Sequence, residues 1–271
     1  MGRISRSFEL VGQSYRILMQ DKELMVLPLI SGLIMAVVVA SFFLVFGVIG
    51  RDAPPQAPAF AFYVPVFLMY VVTYAVGIFF QAAVIAGATE RMRGGDPTVG
   101  SALAAARRRF GPIVMWAIVA GTIGMLLRAI QDRAGFIGKV VVGIAGATWS
   151  LATFFIVPVL VLEDKSIQES FTESVTMFKK TWGETVAGGA GLGIAAFCAW
   201  LVLFAVAALL AAVAGPLAIV VFAAGAILLA IFFSTLHGVY VASLYRYATE
   251  GAVPPGFDRT LFDNAFVPKR S

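Results

Sequence analysis

The stretch "ALAAARRRFGPIVMW", residues 102–116, sets three consecutive arginines directly against a segment apolar enough to enter a lipid bilayer. Such a triplet serves to grip nucleic acid, to anchor a membrane helix at its surface, or to bind a charged ligand, and the surrounding chain decides among these. Of the 271 residues, 60% are apolar and only 13% are charged, whereas a soluble domain carries about a quarter charged. Apolar runs near or above the ~20 residues that cross a hydrocarbon core occur six times, at about 25–49, 60–89, 112–130, 138–162, 185–213 and 217–247. The last two are separated only by Gly215 and Pro216. Glycine after one helix and proline in the first turn of the next predict a tight hairpin. The expected fold is all-α: one polytopic membrane domain over 1–271 with six transmembrane helices and a cytoplasmic tail at 251–271.

The first apolar run follows more than twenty polar and amphipathic residues and is longer than a signal-peptide core, so an uncleaved first span is expected. Cys198 is the one cysteine and forms no intramolecular disulfide. Stretches outside the spans reach only about twenty residues, too few for a separate soluble domain. Lysine and arginine are distributed unevenly between the two sets of connections. One set carries sixteen: Arg3, Arg6, Arg16 and Lys22 before the first span, Arg91, Arg93 and Arg107–Arg109 after the second, Lys165, Lys179 and Lys180 after the fourth, and Arg246, Arg259, Lys269 and Arg270 after the sixth. The other holds four: Arg51, Arg128, Arg133 and Lys139. The positive-inside bias puts the rich set and both termini in the cytoplasm.

In that frame the arginine triplet has a simple reading. Val99, Leu103, Ala106 and Phe110 recur at helical spacing and form one apolar face. Asp96 and Pro97 suit the start of such a helix, and Gly111 with Pro112 its end. Arg107, Arg108 and Arg109 therefore sit at the end of a short interfacial helix, with anionic headgroups as their partners. The pattern recurs at Ile4, Phe8, Val11, Tyr15 and Leu18, and again at Ile167, Phe171, Val175, Phe178 and Trp182, where Ser166 and Glu169 form a capping box. Lys179 and Lys180 occupy the place of the first two arginines, because "RRRFG" at 107–111 aligns with "KKTWG" at 179–183. The chain reads as three parallel repeats of an interfacial helix and two spans, at about 4–93, 96–163 and 166–250. Such an arrangement either encloses a central cavity or packs solid.

The segments "DKELMVLPLISG" at 21–32, "YRYATEG" at 245–251, "GFD" at 256–258 and "NAF" at 264–266 resemble a family of uncharacterised prokaryotic six-span integral membrane proteins. More distantly, the repeated unit is similar to the membrane domain of some membrane-bound glycerophosphodiester phosphodiesterases. The resemblance implies a prokaryotic cytoplasmic membrane and supplies no catalytic or binding residues. The phosphodiesterase activity belongs to a separate metal-dependent barrel, to which nothing in this sequence corresponds.

Residues capable of chemistry are few. The lone histidine and the lone cysteine lie on different spans, so neither a metal site nor a cofactor is expected. His237 follows Ser234 by one turn within the sixth span. It is read either as a proton relay or as a neutral ring hydrogen-bonded to a neighbouring helix. A Ser–His pair without an orienting carboxylate is poor support for a hydrolase. Arg128 and Asp132, four residues apart, are expected to pair. In "AGGAGLG" at 187–193, Gly189 and Gly193 form a GxxxG pair suited to close helix packing, whether within the chain, in a homo-oligomer or in a larger membrane complex. Topology accounts for the net charge of +5 and leaves no nucleic-acid-binding role. The function expected is that of a non-enzymatic bundle that binds lipid or a membrane protein partner. The alternative is a small channel or transporter with a central cavity near His237.

Overall fold

The structure is a computed structural model that describes residues 12, 14–52 and 60–250. Helix α1 covers 14–20 and leads through Asp21 into a 3₁₀ turn, Lys22–Met25. There follow α2 (Val26–Asp52), α3 (Phe60–Met92), α4 (Val99–Arg108), α5 (Phe110–Arg133), α6 (Phe136–Ala152), α7 (Ile156–Leu162), α8 (Ile167–Ala214) and α9 (Pro216–Glu250). Among the described residues there is no strand. Six helical stretches are long and apolar enough to cross a membrane: Lys22–Gly47, Val64–Met92, Phe110–Arg133, Phe136–Leu162, Gly188–Ala214 and Pro216–Glu250. These match the six runs read from the sequence. Ile4, Phe8 and Val11 of the N-terminal apolar face, "GFD", "NAF" and the tail at 251–271 lie outside the described residues.

A short amphipathic helix precedes each pair of long ones, and the backbone marks the same joint in the second and third units. Arg109, between α4 and α5, has φ −109° and ψ 19°. Thr181, inside the continuous run of α8, has φ −117° and ψ 18°. The two residues occupy the same place in "RRRFG" and "KKTWG" and have nearly the same backbone angles. The joint lies two residues earlier than the Gly111–Pro112 boundary expected. Proline sits instead in the first turn of α5, where its missing N–H has no helical acceptor to serve. α4 starts at Val99, and the Asp96 carboxylate meets Arg91 at 2.6 Å.

Ser166 and Glu169 form the expected box: the Ser166 N–H and hydroxyl both donate to Glu169 Oε2, at 2.8 and 2.7 Å, and the Glu169 N–H returns to Ser166 Oγ at 3.3 Å. Hydrogen bonds from the Ser166 hydroxyl, and then from its N–H, hold the Glu169 carboxyl below the usual carboxylate range. Gly215 takes φ +38°, and the Ala218 N–H donates to its carbonyl at 3.1 Å, closing the α8–α9 hairpin.

The fourth run, read as one helix, is broken at residues 153–155. Pro158 explains where: its ring clashes with the carbonyl four residues back, that of Phe154, and it offers no N–H. Ser174 of α8 repairs the gap. Its hydroxyl donates to the Ala152 carbonyl at 2.7 Å and accepts the Phe155 N–H at 3.0 Å.

The chain divides into two compact units. The first comprises the described parts of Met1–Pro28, Val84–Val99 and Lys179–Ser271. Its buried core includes Leu18, Leu24, Ile85, Leu236, Tyr240 and Leu244. Within it Tyr240 lies against Gly188, where a Cβ would collide with the phenol. Gly238 receives Val84, and Gly225 receives Leu203, in the same manner. The second unit comprises Leu29–Ala83 and Gly100–Phe178. There Trp149 stacks between Trp116, at 5.7 Å, and Phe171, at 5.8 Å, which ties α5, α6 and the start of α8 together.

Two substitutions, each with a control, test this packing. Ser174→Ala strands a buried donor and a buried acceptor, so it is expected to cost about 1–3 kcal/mol and lower the melting temperature in detergent. Exposed Thr148, bonded only to its own helix at the Ile144 carbonyl, is expected to tolerate alanine. Gly188→Ala forces the Tyr240 ring aside at roughly 1–3 kcal/mol, whereas Gly189→Ala, with nothing within 4 Å of its new methyl group, is expected to leave the melting temperature unchanged.

Candidate functional site

The five cations singled out in the sequence do not behave alike. On α4 the small residues Ala102 and Ala106 are buried, and Arg107 and Arg108 at its end are exposed. Among the described residues neither arginine takes part in an ion pair. Arg109 is used internally: Nε donates to the Leu160 carbonyl at 2.8 Å, Nη2 to the Lys165 carbonyl at 3.0 Å, and Nη1 reaches Asp164. A planar guanidinium with several fixed donors suits this task of holding a loop backbone. The first section of α8 repeats the contrast, with Ser170, Ser174 and Met177 buried and Lys179 and Lys180 exposed, again without an ion pair among the described residues. Lys165 is engaged, at 2.6 Å from Glu163 and 3.4 Å from Glu173. These carboxylates, Glu163 foremost, raise the affinity of its amine for a proton.

A polar cluster that sequence reasoning missed lies at the end of α3, within the first unit. Arg91 donates through Nε and Nη2 to the buried carboxylate of Asp21, and Nη2 also reaches Asp96. Arg246, itself buried, donates to the Met92 carbonyl and to Glu250 at 3.1 and 2.6 Å; Glu250 also meets Arg93 at 3.3 Å. The Met92 carbonyl is one of the last four of its helix, which have no helical donor. A cation placed there also opposes the partial negative charge of the helix end. Asp21 belongs to "DKEL", and Arg246 and Glu250 to "YRYATEG", so these two segments converge on one helix end.

Ser234 and His237 are exposed on α9, whereas Thr235, Leu236 and residues 238–246 are buried. His237 lies 21 residues beyond Pro216, roughly 32 Å along the helix and about one hydrocarbon thickness from the hairpin. It is the twenty-second of the 35 residues of Pro216–Glu250. Gly189 and Gly193 have nothing within 4 Å of a built Cβ, so their surface is open within the chain. Among the described residues no three of His, Cys, Asp and Glu come together as a metal set.

No curated protein and no solved structure matches the chain. Residues 60–255 match the Family of unknown function (DUF6159). The match takes in α3 to α9 and all of "YRYATEG", while "DKELMVLPLISG" precedes it. The chain thus belongs to the Family of unknown function (DUF6159).

Proposed function

We propose that this protein is a non-enzymatic bundle of a prokaryotic cytoplasmic membrane, with both termini in the cytoplasm, that binds anionic lipid through its amphipathic helices. The reading rests on the division of labour among the cations: Arg109, Lys165, Arg91 and Arg246 are spent on internal partners, while Arg107, Arg108, Lys179 and Lys180 are exposed. Exposed cations following the buried face of a short helix suit headgroups at a membrane surface. The open surface at Gly189 and Gly193 suits a helix of a second copy or of a larger complex.

Arg107 and Arg108 changed together to glutamine are expected to weaken retention of phosphatidylglycerol roughly tenfold or more, since each basic residue near an anionic surface contributes about 1 kcal/mol. Arg109→Gln is expected instead to lower thermal stability with lipid preference kept. Native mass spectrometry of lipid carried through purification reads the first effect and a melting curve the second. Unchanged lipid retention in the double variant would overturn the proposal. The channel or transporter reading draws on the exposed Ser234–His237 pair, and a pH-dependent flux in reconstituted vesicles, lost in His237→Gln, would replace the lipid reading with it.

A further inference from the structure

The second unit contains a cleft of about 370 Å³ lined by Tyr70 of α3, Arg128, Gln131 and Asp132 of α5, and Gly143 and Gly146 of α6. Its size falls within the roughly 300–1,000 Å³ of small-molecule sites. Arg128 and Asp132 stand one turn apart, a spacing that ordinarily brings opposite charges together. They do not pair: among the described residues neither is in an ion pair, and both are exposed. The α6 side is lined by Val142, Gly143 and Gly146, and a methyl group added at Gly143 would meet nothing within 4 Å. Room and two unspent charges of opposite sign therefore share one cleft.

Depth identifies the kind of ligand. Arg128 lies eighteen residues into α5, roughly 27 Å along the helix and close to the far boundary of a ~30 Å hydrocarbon layer. The same stretches of α5 and α6 expose Leu126, Ile130, Val141 and Ile144, so the cleft borders acyl chains at headgroup depth. A purely anionic headgroup there would meet Asp132 as a like charge, and a purely cationic one would meet Arg128. We propose that the cleft binds a headgroup bearing both a phosphate and an ammonium, with Arg128 on the phosphate and Asp132 on the ammonium. A guanidinium is well matched to phosphate oxygens, and Tyr70 and Gln131 add hydroxyl and amide groups to the lining. The proposal rests on the membrane placement of α5 and is independent of the cationic helices described above.

The test offers the purified full chain phosphatidylethanolamine, phosphatidylglycerol or lipid-free glycerophosphoethanolamine and counts retained ligand by native mass spectrometry. Arg128→Gln and Asp132→Asn are each expected to cut phosphatidylethanolamine retention by about tenfold while phosphatidylglycerol retention stays at the wild-type level. Arg128→Lys, which keeps the charge, is expected to retain most of the binding. Gly143→Leu fills the cleft without changing charge and is expected to match the charge-removing variants, which covers the case in which one of those fails to fold. Full phosphatidylethanolamine retention in both Gly143→Leu and Asp132→Asn would overturn the proposal. A parallel loss of phosphatidylglycerol in Arg128→Gln would overturn it as well, by making the site simply anionic. Competition by glycerophosphoethanolamine upholds the headgroup chemistry and assigns it to a soluble zwitterion; failure to compete upholds it and assigns it to the lipid.

Discussion

A break in a membrane helix releases backbone N–H and C=O groups that hydrocarbon cannot satisfy, and the architecture of this protein follows from how each break is repaired. At residues 153–155, Ser174 closes the gap by donating to one freed carbonyl and accepting one freed amide. At the end of α3, Arg246 serves the Met92 carbonyl. After α7, Arg109 serves the Leu160 and Lys165 carbonyls. Each repair reaches across the sequence, by 19 residues from Phe155 to Ser174 and by 154 from Met92 to Arg246. The polar side chains of the bundle thus determine which helix ends meet, and the apolar surface fills in around them.

What was legible in the sequence had a local cause. Hydropathy gives the six long helices, Gly215–Pro216 gives the hairpin, and Ser166 with Glu169 gives the box, since each depends on residues within a few positions of one another. Pro158 was equally visible and predicts the break at 153–155 through its clash with the preceding turn; uniform apolarity across 138–162 concealed it. The Asp21–Arg91 pair is of another kind. Its partners are 70 residues apart, and no periodicity signals that a carboxylate after α1 will meet a guanidinium near the end of α3. Asp96, read as a helix cap, instead meets Arg91, only five residues back and on the same side of the loop.

Glycines show the same limit. "AGGAGLG" offers four glycines within seven residues, and the GxxxG spacing directs attention to Gly189 and Gly193. Inside the chain it is Gly188 that has a neighbour, the Tyr240 ring, together with the isolated glycines Gly238 and Gly225, which receive Val84 and Leu203. Spacing identifies which residues share a helix face, but not which face meets another helix. The windows of greatest apolarity in Lys22–Gly47, Gly188–Ala214 and Pro216–Glu250 are each only 6% buried, so these stretches are apolar because of what surrounds the protein rather than what packs within it.

The arginine triplet condenses the argument. Arg107, Arg108 and Arg109 are adjacent and chemically identical, yet the joint between α4 and α5 gives the third a different environment from the first two. Its backbone leaves helical geometry, and its side chain holds the 160–165 connection. In "KKTWG" the corresponding residue is Thr181, which has nearly the same backbone angles. Its hydroxyl lies 3.2 Å from that of Thr185, one turn along the same run. The two joints share their backbone angles while their side-chain support differs: a long reach with a planar cation at Arg109, a hydroxyl pair at Thr181. What the two units share is the pair of cations just before the joint, Arg107–Arg108 and Lys179–Lys180, which are exposed in both. The charges are kept in both segments, whereas the residue that follows them, which the internal packing uses, is not.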